Sequence, residues 1–218
     1  MPPEITIVVT ARDEAERLGD TIAALRDAFP GARVVVGDDA STDGSAEVAR
    51  AAGADVVRSE RRLGKGGIAT LAARSGGADV IVLADGDLGD SARQLPRLVE
   101  ALGGADIAVA KFARRVGGGF GVALGFAGWA IRRRTGLELD APISGQRALR
   151  AEVLDAVLPF APGFGMEIGM TIDAHRAGFR LIEVELDLSH RTTGRTAAGF
   201  LHRFRQLRDF ARVYISRR

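Results

Sequence analysis

The chain has 218 residues and a mass of 23.0 kDa, with 30 Lys and Arg against 28 Asp and Glu, and no cysteine. A single domain able to bury its own core is expected, and disulfides, thiolate zinc sites, iron–sulfur clusters and cysteine nucleophiles are all excluded. The cations are nearly all arginine, and from His190 onward eight arginines face one acid, Asp209, which points to an anionic partner. With aromatic residues at only 6% there is no stacking platform, so nucleic acid is not expected as that partner.

The N-terminus runs from Met-Pro-Pro-Glu into "ITIVVT" with no basic leader. No apolar run reaches the ~18 residues that span a bilayer, so a soluble cytoplasmic protein is expected, at most peripheral at the inner face of the membrane. "ITIVVT" is the first predicted strand. Glu14 to Phe29 carries Leu18, Ile22, Leu25 and Phe29 on one stripe and stops at Pro30-Gly31, which reads as a helix. "ARVVVGD" is a second strand, Ser45 to Ala52 a short helix, "ADVVR" a third strand and Gly66 to Arg74 another helix. "DVIVLAD", a helix over Ser91 to Leu102, and "ADIAVAKF" complete the regular half. Strands alternating with helices over short connections imply an α/β fold with a mostly parallel sheet.

Beyond it the pattern loosens. Val116 to Ile131 is apolar and glycine-rich between arginine clusters; then come "SGQRAL", a helix from about Met166 to Ala177, the strand "FRLIEVELDL" and a basic helix from about Phe200 to Tyr214. In that last helix Phe200, Phe204, Leu207, Ala211 and Tyr214 form one stripe and Arg205, Arg208 and Arg212 another. This fits either docking at an anionic membrane or packing on the sheet with a solvated basic face. No linker divides the chain; residues 1–112 and 113–218 read as two halves of one domain.

Three polar clusters fall at strand carboxyl ends, where open parallel sheets bind ligands. They are "TARDE", "DDASTDG" and "DGDLGD". In extended backbone Asp85 and Asp87 project to the same side, and two adjacent carboxylates need a cation. Hard oxygen ligands favour Mg²⁺ or Mn²⁺, with a diphosphate completing the shell. Turn and cap chemistry is the competing explanation of the same residues. Asp38 and Asp39 can accept hydrogen bonds from a base or ribose, whereas Asp43 reads as a loop and helix cap. Lys65 stands in "RLGKGG", a glycine-rich loop entering a helix, which offers N–H groups and an ammonium to phosphate. It is neither a Walker A loop nor a dinucleotide fingerprint.

In order and spacing these clusters resemble family 2 glycosyltransferases of the GT-A fold, a Rossmann-like three-layer arrangement. "IVVTARDEAERL" is similar to the family's strand-one signature, "VGDDASTDGS" to "VDDGSTDGT", "RLGKGG" to "NxGKGxA" and "LADGDL" to the D-x-D motif. "SGQRAL" and "GFGMEIGMTIDAHRAGFRLIEVEL" resemble polyprenyl- and dolichol-phosphate sugar transferases, and glucosyl-3-phosphoglycerate synthase shares much of the layout. The departures are Thr10 for Pro, Asp13 for Asn, Ala40 for Gly and Gln146 for Phe. A sugar-nucleotide pyrophosphorylase, the alternative of another class, would carry a glycine-rich loop where "VVTARDE" stands.

The resemblance implies transfer of a sugar from a UDP- or GDP-linked donor. Ala11, Arg12 and Glu14 would line the nucleotide pocket, Asp38 or Asp39 would read the base, and Lys65 would approach the base and diphosphate. Asp85 would contact ribose or metal, and Asp87 and His190 would complete the metal site. Catalysis would fall to Asp87, with Glu167 as general base for an alcohol acceptor. For a phosphate acceptor Arg147, Arg191 and Arg195 would be the clamp, beside Ser144 and Gly145. Polyprenyl phosphate is the favoured acceptor and a small soluble one such as 3-phosphoglycerate or glycerate the alternative; a homodimer is compatible with the sequence.

Overall fold

A computed structural model of the chain describes residues 3–113, 121–188 and 197–217. Seven strands, β1 (Ile5–Ala11), β2 (Arg33–Asp39), β3 (Asp55–Ser59), β4 (Val80–Asp85), β5 (Ile107–Phe112), β6 (Arg147–Arg150) and β7 (Leu181–Leu186), form one sheet in the order β3-β2-β1-β4-β6-β5-β7. Every neighbouring pair is parallel except the two made by β6, which runs antiparallel between β4 and β5. From β1 the chain winds outward through β2 and β3, then returns to place β4 on the other side of β1. The carboxyl ends of β1 and β4 therefore flank the switch point where such sheets open a crevice.

The helices are α1 (Ala15–Ala28), α2 (Ser45–Ala51), α3 (Lys65–Arg74), α4 (Pro96–Ala101), α5 (Val122–Thr135), α6 (Ala151–Val157), α7 (Met166–Arg176) and α8 (Ala197–Ser216). Strand periodicity assigns the two faces of the sheet. Ile7, Val9, Val34, Val36, Val82 and Ala84 pack with Leu18, Ile22 and Leu25 of α1 in one core. Val8, Val35, Ile81, Leu83, Ile107 and Val109 pack with residues of α3, α6 and α7 in the other. This is the expected three-layer GT-A arrangement. A third, smaller core joins Ala127 and Ile131 of α5, Ile168 and Ile172 of α7, and Phe210 and Val213 of α8.

Four local expectations change. The helix read over Ser91 to Leu102 splits into a 3₁₀ segment, Gly89–Gln94, and α4, because Pro96 has no N–H and starts a new helix at its first position. "SGQRAL" supplies β6 and leads into α6, and the apolar insert supplies α5, none of which periodicity had marked. β4 ends at Asp85, so Asp87 lies in the turn beyond and not on extended backbone. In α8 the positions buried against α5 and α7 are Phe210 and Val213, a register rotated from the predicted stripe; Arg208 and Arg212 face outward as expected. Among the described residues no helix is long and apolar enough to cross a membrane.

Candidate active site

The turn that follows β4 is fixed from α1. The Gly86 N–H donates to Thr10 O, and the Thr21 hydroxyl donates to Gly86 O at 2.9 Å while accepting the Gly89 N–H at 2.8 Å. A side chain at Gly86 would press on Leu18, Ala11 and the Thr10 carbonyl at 3.3–3.4 Å, so the acidic turn lies directly on β1. Asp85 is the register partner of Thr10. Its carboxylate is surrounded by donors: Lys65 Nζ is 2.7 Å from Oδ1, the Thr10 hydroxyl 3.4 Å from Oδ1, and Gln146 Nε2 2.7 Å from Oδ2.

Lys65 arrives there because both ends of its loop are anchored. Asp39 accepts the Leu63 and Gly64 N–H groups at 2.6 and 3.0 Å. Next to Lys65, Gly66 sits so close to the Ala161 carbonyl that any Cβ would collide with it. That contact brings the start of α3 against the start of α7, and Lys65 Nζ lies 2.9 Å from Glu167 Oε1 as well. Burial opposes charge on Lys65, but Asp85 and then Glu167 outweigh it and hold the ammonium above the ordinary lysine range. Burial likewise opposes charge on Asp85, and Lys65, Gln146 and Thr10 together hold its carboxyl below the usual carboxylate range. Gly145 closes the cluster: a Cβ there would fall on Lys65 Nζ and within 3.1–3.3 Å of the Asp85 oxygens.

Arg147 does not take the expected role. It is fully buried, and its guanidinium donates to Ser144 O and Thr171 Oγ1, both at 2.9 Å, and to Pro142 O at 3.5 Å. Burial pushes its pKa down to about 10 against the pull of Glu167 and Glu183. A group so enclosed cannot clamp a phosphate from solution; it ties the 142–144 turn to α7. Among the described residues no group of three or more His, Asp or Glu is placed to hold a metal; the expected triad includes His190, which is not one of them. Asp85 ends β4 and Asp87 follows in the turn beyond, and His190, Arg191 and Arg195 lie outside the described residues.

The predicted nucleotide residues line the neighbouring strand ends. Asp38 is completely buried; its Oδ1 accepts the Ser41 N–H, while Oδ2 has no hydrogen-bond partner and stands 3.4 Å from Arg58 Nε. Asp39 is occupied with the lysine loop. Ala11 is buried, Arg12 is exposed beside Asp13, and the Glu14 N–H donates to Ser45 Oγ. Asp43 caps as expected: its carboxylate accepts the Ala15 and Ser45 N–H groups and the Ser45 hydroxyl. Sequence reading missed Thr21, Arg58 and Gln146 as site residues. Two of them carried a signal: Thr21 is a polar residue on α1's buried stripe, and Gln146, just before β6, stands where the resemblance has phenylalanine.

The family described as "Glycosyl transferase family 2" matches residues 6–157. An undecaprenyl-phosphate mannosyltransferase of Micrococcus luteus is 34% identical over 209 residues, covering 87% of this chain and 85% of that protein. A glucosyl-3-phosphoglycerate synthase of Mycolicibacterium paratuberculosis is 33% identical over 196 residues, covering 78% of this chain but only 59% of its own length. Among solved structures, glucosyl-3-phosphoglycerate synthase from Mycobacterium tuberculosis, in complex with Mn²⁺, uridine diphosphate and glucosyl-3-phosphoglycerate, superposes with a TM-score of 0.78 at 28% identity. That match covers 99% of this chain and 80% of the other.

Proposed function

The chain belongs to glycosyl transferase family 2, and we propose that it moves a sugar from a uridine diphosphate sugar to a polyprenyl phosphate. The acceptor class is carried by one observation: Glu167, the expected general base, is 5% exposed and paired with Lys65 at 2.9 Å. A carboxylate spent on an ammonium is poorly placed to take a proton from an alcohol. A phosphate acceptor is already ionised and needs no base. Its oxygen attacks the anomeric carbon, the bond from that carbon to the diphosphate oxygen breaks, and the electron pair leaves with the nucleoside diphosphate. A relative matched along most of both chains, the Micrococcus luteus protein, is named for such an acceptor.

The donor side rests on residues 1–112. Asp38, whose Oδ2 accepts no hydrogen bond and faces Arg58 at 3.4 Å, is the proposed acceptor for an imide N–H of the base, and Lys65 supplies positive charge for the diphosphate. Asp87 and Asp85 fit Mg²⁺ or Mn²⁺, which takes one or two carboxylates and fills its shell with phosphate oxygens. Such a cation would stabilise the charge developing on the leaving diphosphate. His190 remains the proposed additional metal ligand, and Arg191 and Arg195 the proposed phosphate clamp, in the half formed by residues 113–218. An open groove of about 600 Å³ along α5, lined by Leu124, Trp129, Leu139 and Pro142 and also by Arg132, Glu138, Asp140 and Glu183, is the proposed place for the acceptor's body. The outward arginines of α8 would meet an anionic membrane surface.

The test is acceptor choice. The purified chain with a uridine diphosphate sugar and Mn²⁺ should glycosylate a short polyprenyl phosphate and leave 3-phosphoglycerate untouched, with the product read by mass spectrometry. Asp87→Ala or EDTA should stop transfer. Transfer to phosphoglycerate alone would move the assignment to the soluble acceptor.

A further inference from the structure

Two of the four departures from the family pattern, Thr10 and Gln146, converge on a single carboxylate. Thr10 approaches Asp85 Oδ1 at 3.4 Å and Gln146 donates to Asp85 Oδ2 at 2.7 Å. Neither proline nor phenylalanine could donate a hydrogen bond there. We propose that Gln146 is a positioning residue that aims Asp85 at the donor and couples the acceptor-side turn to it. The proposal rests on the reading of Asp85 as a donor-site residue.

The geometry fixes the amide in one sense. Gln146 is 2% exposed, and because an ionised Asp85 can only accept, the NH₂ faces it at 2.7 Å and Oε1 is left to accept the Ser144 hydroxyl at 3.2 Å. Its own carbonyl accepts the Ala110 N–H at 2.9 Å, which seats the residue against β5. The charge type matters as much as the position. Lys65 brings one positive charge to Asp85 and Glu167, leaving the cluster one negative charge in excess. A neutral donor at 146 orients Asp85 and preserves that excess for a metal or ribose; an arginine or lysine would cancel it. Since Ser144 and Gly145 precede Gln146 in the same turn, a displacement of that turn moves the donor of Asp85 Oδ2 with it.

Gln146→Leu keeps nearly the volume and removes the donor. Mn²⁺-dependent binding of uridine diphosphate, measured by calorimetry, should weaken about tenfold, the lower end for losing an outer hydrogen bond to a site residue. The double variant with Asp85→Asn should bind no more weakly than Asp85→Asn alone, because Gln146 acts through that carboxylate. Gln146→Met, unbranched like glutamine, repeats the measurement should the leucine variant fold poorly. Unchanged affinity in Gln146→Leu or Gln146→Met, or additive losses in the cycle, overturns the proposal, even where the melting temperature falls. Wild-type affinity in Asp85→Asn would instead bring down the donor-site reading itself, and this proposal with it.

Discussion

Lys65 and Asp85 meet across the crevice between α3 and β4, with Nζ 2.7 Å from Oδ1, and Glu167 holds the same ammonium from α7. Three elements remote in sequence are thereby pinned at one cation. Lys65→Met would leave two carboxylates facing each other without it. Removing one partner of a fully buried pair costs about 3–5 kcal/mol. Lys65 and Asp85 side chains keep 23% and 31% exposure, so roughly 2–3 kcal/mol is expected here. The pH dependence follows from the two shifts. Asp85 is lowered, so its contribution is present above the ordinary carboxylate value and lost as pH falls. Lys65 is raised, so its contribution is present below the ordinary lysine value and lost as pH rises through the native one. The stability difference between wild type and Lys65→Met, from urea unfolding, should be largest between neutrality and about pH 10 and shrink on acidification, as the two facing carboxylates of the variant take up protons and then Asp85 of the wild type does. A difference that grows on acidification would mean the pair is not what holds these elements.

Gly145→Ala tests the same cluster from its open side. The new methyl group would occupy the Lys65 ammonium position, so the lysine must swing away from Asp85. Binding of uridine diphosphate should fall about tenfold or more, on the scale of a lost charge-assisted contact of about 1.5–3 kcal/mol. The fold should survive, since the lysine end can move while the backbone stays. Unchanged binding would show that the lysine does not act from this position.

Arg147→Ala separates a structural arginine from a clamp. Its side chain is wholly enclosed and bonded to Ser144, Thr171 and Pro142. Truncation should therefore cost about 2–5 kcal/mol of stability, the range for emptying a large core position. A clamp would behave oppositely, with the acceptor KM raised and the melting temperature kept. Urea unfolding beside acceptor kinetics decides between them.

The sheet was legible because β1, β2, β4 and β5 carry near-continuous apolar runs buried on both faces, and β1, β2 and β4 end at polar clusters. β6 escaped the reading because "RALR" carries an arginine at each end, and the first is buried by hydrogen bonds that no local pattern records. The acidic turn and the lysine loop were visible as clusters; that Lys65 would answer Asp85 was not. Their meeting depends on Asp39 holding the loop and on Gly66 touching Ala161, contacts made between distant segments. Arg147 was misread for a related reason. An arginine after "SGQ" has the chemistry of a clamp, and only burial shows where its donors go.

The remaining two departures from the family pattern have a backbone meaning. Asp13 and Ala40 stand where asparagine and glycine are usual, and they are the non-glycine residues with positive φ among the described residues, at 52° and 60°. They lie on adjoining loops: Asp13 Oδ1 accepts the Thr42 N–H at 2.9 Å, and Ser41 Oγ accepts the Asp13 N–H at 3.0 Å. Aspartate tolerates the left-handed region nearly as well as asparagine, so Asp13→Asn should be close to neutral. Alanine pays about 1–2 kcal/mol there, of which about 0.4–1 kcal/mol is recovered because glycine loosens the unfolded chain. Ala40→Gly should therefore stabilise by roughly 0.5–1 kcal/mol, which in a chain of this size raises the melting temperature by about 1–4 °C. Ala40→Val, bulkier at the same φ, should lower it. If Ala40→Gly melts below wild type while Ala40→Val melts above it, the left-handed conformation assigned to this turn is wrong.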